Sequence, residues 1–125
     1  MEIAQEAAQG SATVEGLTSA HGGVPLMIVD EEMLRLAAAG VVKQLKALRE
    51  GYGKGLSDVD GVIVAAFGDP GVDESREVCS CPVTGLAEAA VAEAAAAARE
   101  GRFAVVTTTP LLVRSIEARV EALGL

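Results

Sequence analysis

The chain has 125 residues, which is enough for one domain with a modest core. Half of the residues are apolar, but only three are aromatic and none is tryptophan, so we expect a thin, closely packed core. The net charge of −8 at pH 7 argues against nucleic acid or an anionic membrane as a partner, because no basic patch would offset repulsion by phosphate groups.

Apolar runs and cysteines narrow the class of protein further. No segment approaches the ~18 uninterrupted apolar residues of a membrane-spanning helix, and the stretch MEIAQEAAQG has neither the basic region nor the apolar run of a signal peptide. The sequence therefore predicts a cytoplasmic protein. Cys79 and Cys81 are neighbours of a kind that rarely forms a disulfide, and no His or further Cys lies nearby. We expect free, structural thiols and no metal site.

The first half of the chain has a less regular pattern than the second. Residues 2–8 predict the end of a helix, residues 12–17 a strand, and residues 21–25 a loop. A helix is predicted from about residue 30 to residue 50, because apolar residues recur at helical spacing on one face: Leu34, Ala38, Val41, Leu45 and Leu48.

Two features of the first half could be mistaken for a catalytic residue or a ligand-binding loop. His21, the only histidine, stands between Ala20 and two glycines, which indicates a loop residue rather than a general base. The glycine-rich residues 51–58 follow a helix rather than a strand, so they predict a flexible connection and no nucleotide-binding loop.

From residue 56 onward, strands and helices alternate. Residues 61–66, 82–84 and 103–107 predict strands. Between and after them, helices are predicted to begin at Asp69-Pro70 and at Thr109-Pro110, where Asp and Thr serve as caps and Pro takes the first helical position. A further, alanine-rich helix is predicted over residues 86–100, with Gly101 as its C-terminal stop. The last of these helices carries an apolar stripe of Leu112, Ile116, Val120 and Leu123. This order predicts an α/β fold with a parallel sheet.

Two turns are predicted to end at the same edge of that sheet. They contain Phe67, Gly68 and Asp69 in one case and Thr107, Thr108 and Thr109 in the other. Ligands of open α/β sheets bind beyond the carboxyl ends of the strands, and each turn also presents a helix N-terminus that favours an anion. Capping and strand propensity alone would also explain Asp69, Thr107 and Thr109, so both interpretations stay open here.

Three segments in order carry a family resemblance: DGVIVAAFGDPGVDESREV, CPVTGLAEAA and FAVVTTTPLLVRSIEARVEALGL. Together they resemble the aspartate/glutamate/hydantoin racemase superfamily, and its hydantoin and allantoin racemase branch most of all. The resemblance covers roughly residues 58–125, and residues 1–50 fit only loosely. It implies a three-layer α-β-α, flavodoxin-like fold, in which this chain is a single and incomplete domain, equivalent to one lobe of a two-lobe enzyme.

The resemblance also implies a reaction, which is racemisation without a cofactor at a carbon next to a carbonyl. In that family two cysteines face opposite sides of the substrate; one removes the α-proton and the other returns a proton. Here Ala66 occupies the position of the first family cysteine, and the second belongs to a lobe downstream of Leu125. Cys79 and Cys81 precede a strand, at the wrong end of the sheet, so no catalytic residue is intact.

The resemblance leaves a set of substrate-binding positions and several alternatives. The substrate would be a small hydantoin or amino-acid-like molecule, held by Phe67, Gly68, Asp69, Thr107, Thr108 and Thr109. We expect little or no racemase activity from the chain alone. The alternatives are a catalytically silent domain that binds a small anion or a partner subunit, and a single-cysteine decarboxylase of the same superfamily. An incomplete sheet would expose an edge, so we also expect a homo-oligomer.

Overall fold

The computed structural model describes residues 2–18, 24–51 and 56–125, which fold around a small parallel sheet. Its strands are β1 (Val62–Val64) and β2 (Val83–Gly85). The helices of the described residues are α1 (Glu2–Ala7), α2 (Glu31–Arg49), α3 (Val72–Val78), α4 (Leu86–Ala97) and α5 (Val113–Ala122), with short 3₁₀ helices at Leu56–Asp58 and Pro110–Leu112. The predicted α/β class with a parallel sheet is therefore confirmed.

The first long helix, α2, begins where its sequence predicts. The Asp30 carboxylate accepts a hydrogen bond from the Met33 N–H at 2.8 Å, which satisfies one of the free donors of the first turn. Two of the predicted apolar positions, Leu45 and Leu48, are buried, and they form one core cluster with Leu56. The amphipathic pattern therefore identified the face of α2 that packs on the rest of the molecule.

The two strands pair in parallel, and their covered side carries Val62, Val64 and Val83. Val62 lies opposite Val83, and Val64 lies opposite Gly85. Val64 and Val83 are buried with Val72 of α3 in a second core cluster, as a strand pair joined by a packed crossover helix requires. The half-buried side chains of Val41, Val62 and Cys79 contact both clusters and so connect α2 with the sheet.

Two predicted strands are wrong. Residues 12–17 are irregular, because the Gln5 side chain, rather than another strand, supplies their hydrogen bonds: its Nε2 donates to Ala12 O and its Oε1 accepts from Val14 N–H, each at 2.8 Å. Residues 103–107 are also outside any strand, since they pair with neither β1 nor β2. Strand propensity alone does not form a ladder when no partner strand lies alongside.

Several boundaries also moved. The predicted strand over residues 61–66 is shorter, and the one over residues 82–84 shifts by one residue. The helix predicted to reach residue 100 ends at Ala97, and Gly101 then adopts a left-handed conformation with φ of 67°. Thr109-Pro110 starts a 3₁₀ helix that leads into α5. His21 and residues 52–55 lie outside the described residues.

No helix in the described ranges has both the length and the apolar character needed to cross a membrane.

Candidate functional site

The turn after β1 has an unusual backbone. Gly68, Asp69 and Gly71 all have positive φ, at 106°, 52° and 73°. A Cβ on Gly71 would lie 2.8 Å from the Ala38 carbonyl oxygen of α2, so only glycine fits there. Asp69 is the only one of these three residues that is not glycine, and a residue with a Cβ is strained in this region of backbone conformation. The strained residue Asp69 lies within the FGDPG segment, which is part of the sequence that carries the family resemblance.

The reason for the strain is where it sends the Asp69 side chain. The carboxylate accepts hydrogen bonds from Ala87 N–H at 2.7 Å and Glu88 N–H at 2.8 Å, and its side chain is fully buried. Asp69 thus caps α4, a helix that begins seventeen positions later in the chain. The prediction that it caps the next helix is wrong: α3 begins after Gly71, with no side-chain cap, and Pro70 precedes that helix instead of occupying its first position.

Gly85 makes this arrangement possible. It holds the N-cap position of α4, where Ser, Thr, Asp or Asn would normally provide the capping oxygen. A Cβ there would lie 2.2 Å from Asp69 Cγ, inside the carboxylate. The Asp69 side chain therefore occupies the space of the capping side chain that Gly85 lacks.

Arg119 of α5 completes the environment of this carboxylate. Its Nε lies 3.2 Å from Asp69 Oδ2, Nη1 lies 3.0 Å from Asp73 Oδ2, and Nη2 lies 3.0 Å from Glu88 Oε2. Only 16% of the Arg119 side chain is exposed. A guanidinium with a planar fork of donors suits such a three-carboxylate site, which we call the Arg119 cluster: Asp69, Asp73, Glu88 and Arg119.

Glu88 joins the cluster to a second arginine. Its carboxylate accepts from Gly85 N–H at 2.9 Å and from Arg76 Nη2 at 2.6 Å. Burial alone would raise the pKa of Glu88. The Gly85 hydrogen bond and the charges of Arg76 and Arg119 outweigh burial, so the pKa lies below its ordinary value of 4.5. Glu88 is therefore held in the ionised form.

A pocket of about 530 Å³ opens near the carboxyl end of β1. Three of the predicted substrate-binding residues, Phe67, Thr107 and Thr108, line it together, although Phe67 and the threonines are forty positions apart in sequence. The rest of its lining is apolar: Ala90, Val91 and Ala94 of α4, with Phe103, Ala104, Val105 and Val106. The pocket thus combines an aromatic wall with two threonines at one edge.

The other predicted residues lie outside the lining of this pocket. Gly68 and Asp69 form the strained turn behind Phe67, with Asp69 directed into the Arg119 cluster. Thr109 starts the 3₁₀ helix, and its N–H donates to Thr107 Oγ1 at 3.1 Å. Ala66 is half-buried and its carbonyl accepts from Asp69 N–H at 3.1 Å, so it stands directly before the pocket wall.

The two cysteines lie at the opposite end of the sheet. Cys79 follows α3 and contacts the core beside Val62, the first residue of β1, and Cys81 precedes β2. Both are free thiols. Cys79 and Cys81 therefore lie beside the start of the strands rather than at their carboxyl ends. Among the described residues, no group of three or more His, Cys, Asp or Glu side chains could hold a metal ion.

The Arg119 cluster was missed in the sequence. Glu88 had a local signal, because a Glu three residues after a cap position is typical of a capping box. Arg119 had none: its partners lie 31 to 50 positions away, and no helical spacing relates them.

The chain resembles known proteins along most of its length. The family described as Asp/Glu/Hydantoin racemase matches residues 1–125. The chain is 40% identical over 87 residues to a hydantoin racemase of Rhizobium meliloti, which is 70% of this chain and 34% of that protein. It is 36% identical over 90 residues to a hydantoin racemase of Pseudomonas sp. (strain NS671), 72% of this chain and 33% of that protein.

The chain spans about one third of the length of these two relatives. No solved structure matches it. The family match covers all residues that form the turn after β1, the pocket and the Arg119 cluster. The chain therefore belongs to the Asp/Glu/hydantoin racemase family.

Proposed function

We propose that this chain is a racemase-type isomerase domain whose pocket beside Phe67 binds a small hydantoin or amino-acid-like molecule. The observation that carries the proposal is the meeting of Phe67 with Thr107 and Thr108 around one pocket near the carboxyl end of β1. The family supports the class of reaction, and the two hydantoin racemase relatives support the substrate class.

The chemistry of the pocket suits a flat, polar-edged ring. A hydantoin has two carbonyl oxygens and two N–H groups around a planar ring, so one face can lie on Phe67 while its polar edge meets the threonine hydroxyls. Among the described residues, the Thr108 hydroxyl has no protein partner, which leaves it free for a ligand. The Thr107 Oγ1 atom accepts a hydrogen bond from Thr109 N–H, and the hydroxyl proton of Thr107 remains available to donate to a ligand.

None of the described residues that line the pocket has a side chain suited to transfer the α-proton. Inversion at the α-carbon requires a base on one face and an acid on the other. Ala66 cannot serve as either, and the two thiols of the chain lie at the far end of the sheet. We therefore infer binding without family-like turnover by this chain alone. That inference also supports the second candidate, a catalytically silent domain that binds a small anion or a partner subunit.

The test measures binding and turnover separately. A 5-substituted hydantoin is titrated by NMR, and loss of optical rotation is followed with buffer alone as the control for spontaneous racemisation. We expect line broadening and shifts confined to the pocket residues, with no loss of rotation above the control. Thr108→Val should weaken binding several-fold, whereas Thr84→Val on the exposed side of β2 should not.

Turnover at family-like rates would overturn the inference of inactivity. Absence of any pocket-specific shift, together with shifts caused by a simple carboxylate such as acetate, would favour the silent anion-binding domain instead.

A further inference from the structure

The loop between α3 and β2 brings two thiols together beside a second pocket. Cys79 and Cys81 are separated only by Ser80, and the chain bends at Ser80 and Cys81. This bend matters because Cα atoms more than about 7 Å apart cannot be bridged by a disulfide, and a fully extended i, i+2 pair lies near that limit. In the folded chain Cys81 lies close enough to Cys79 to raise the pKa of the Cys79 thiol. Both residues are half-buried and thus accessible to a small reagent.

The pocket beside this pair has a volume of about 310 Å³. Val78 and Ser80, the neighbours of Cys79 in sequence, line it together with Arg49 of α2. Arg49 lies close enough to Cys79 for its charge to favour the thiolate. A cavity that has a cation on its wall, and whose lining residues Val78 and Ser80 flank Cys79 in sequence, is suited to a small disulfide reagent that carries a carboxylate.

We propose that Cys79 and Cys81 form a redox-active dithiol that reacts with small anionic disulfides and closes to an intramolecular disulfide. The first step is attack of the Cys81 thiolate on one sulfur of the reagent, which forms a mixed disulfide and releases one reagent thiolate. Cys79 then attacks Cys81 Sγ as its own thiol proton leaves, and the second reagent thiolate departs. Two protein thiols are oxidised, one reagent disulfide is reduced to two thiols, and the two protons end on them.

The order of the two cysteines follows from their surroundings. Burial, and after it the neighbouring Cys81, raise the pKa of Cys79, so Cys79 ionises reluctantly and acts second. Cys79 also contacts both core clusters, whereas Cys81 lies in the bend before β2. Closure of the disulfide would therefore pull on a side chain that connects α2 with the sheet.

The probe for the test is oxidised glutathione, a small disulfide with four carboxylates. The reduced full chain is incubated with it, quenched with acid and analysed by intact mass and peptide mapping. We expect a product lighter by two hydrogens, with Cys79 linked to Cys81. Cys79→Ser should stop at a glutathione adduct on Cys81, and Cys81→Ser should react several-fold more slowly. Each variant keeps one thiol, so either variant alone can test the order of attack if the other does not fold.

Two further variants test geometry and charge. The double variant Cys79→Ser, Thr84→Cys keeps two thiols but places the second in β2, and we expect adducts instead of closure. Arg49→Gln should slow the reaction with oxidised glutathione several-fold but not the reaction with the neutral hydroxyethyl disulfide. Arg35→Gln, at another arginine of the same helix that lies outside the lining of this pocket, is the control. The proposal is overturned if the wild-type chain retains only glutathione adducts, fails to react, or closes no better than the double variant.

Discussion

Asp69 is a buried, strained carboxylate with three donors around it. Its Oδ atoms accept from two backbone N–H groups at the start of α4 and from Arg119 Nε. A helix N-terminus and a guanidinium both favour negative charge, so the side chain can be buried without a partner from outside the protein. In the family motif FGDPG, this Asp is therefore the residue that fixes the turn behind Phe67.

Asp69→Asn keeps the size of the side chain but removes its charge and one acceptor. We expect the free energy of unfolding to fall by about 2–3 kcal/mol, because the Asn amide cannot accept from all three donors and Arg119 loses a buried counter-charge. Urea unfolding followed by circular dichroism measures this. Asp60→Asn, at an exposed position, is the control and should change stability by less than about 0.5 kcal/mol. Equal stability of the two variants would show that the carboxylate is not an essential cap.

Gly85 and Asp69 should behave as a coupled pair. In the wild-type chain Gly85→Ser forces a side chain into the Asp69 carboxylate and should destabilise by about 1–3 kcal/mol. In an Asp69→Ala background the same change should stabilise by roughly 0.5 kcal/mol, because the introduced serine hydroxyl can then cap α4 itself.

The measurement for that pair is a double-mutant cycle in urea. Gly61→Ala is the matched control, since a Cβ at Gly61 makes only an ordinary contact with the Pro82 carbonyl oxygen. If Gly85→Ser has the same sign in both backgrounds, the Asp69 side chain does not occupy the space of the missing cap.

At the scale of elements, the Arg119 cluster holds three helices together. Asp73 belongs to α3, Glu88 to α4 and Arg119 to α5, and Asp69 adds the turn after β1. α5 has no buried residue, so the ionic and hydrogen-bond contacts of Arg119 contribute a large part of what holds this helix against α3 and α4. The pocket lies between α4 and residues 103–108, so the same contacts keep its walls in place.

Stability should depend on pH through Glu88. Its folded pKa is below its ordinary value, so the folded state favours the ionised form. The contribution is therefore fully present above about pH 4.5 and is lost as pH falls through the lower, folded pKa. Glu88→Gln should lose stability at pH 7 and show a shallower decline between about pH 5 and pH 3.

The comparison for Glu88 is Glu93→Gln, an exposed position on the same helix. Urea unfolding across the pH series should give parallel curves for Glu93→Gln and the wild-type chain. Parallel curves for Glu88→Gln as well would mean that the cluster does not stabilise ionised Glu88 in the folded state.

At the scale of the whole molecule, the sheet has only two strands in the described residues and apolar side chains remain outside it. Val106 is 92% exposed, and it belongs to a β-branched run that pairs with neither strand. A two-stranded sheet also leaves both of its edges open. These features are consistent with the homo-oligomer expected from the sequence, which stays a prediction.

Sedimentation velocity over a concentration series tests that prediction. We expect a rise in sedimentation coefficient with concentration, because unpaired edges and apolar residues favour association. Val106→Lys should shift the distribution toward the monomer, whereas Ile3→Lys, at a similarly exposed residue of α1, should not. A monomer at all concentrations would contradict the expectation.

Part of the fold and of the site could be predicted from local sequence. The start of α2 near residue 30, the buried face of α2 and the parallel order of β1 and β2 all follow from neighbours within one or two turns or from the alternation of elements. Phe67, Thr107 and Thr108 were selected as residues that follow parallel strands. They do line one pocket, although residues 103–107 form no strand. Residues 12–17 and 103–107 could not be predicted in the same way, since a strand depends on a partner.

By itself, the sequence determined the family, the α/β class, the position of Ala66 in front of the FGDPG motif and the separation of both thiols from the carboxyl end of β1. Only the tertiary structure decided what Asp69 does. Local rules give a capping carboxylate to the helix that follows it, but the left-handed turn at Asp69 and the missing side chain at Gly85 direct it to α4 instead. Capping depends on which N–H groups lie close in space, and the separation of residues along the chain does not show which groups those are.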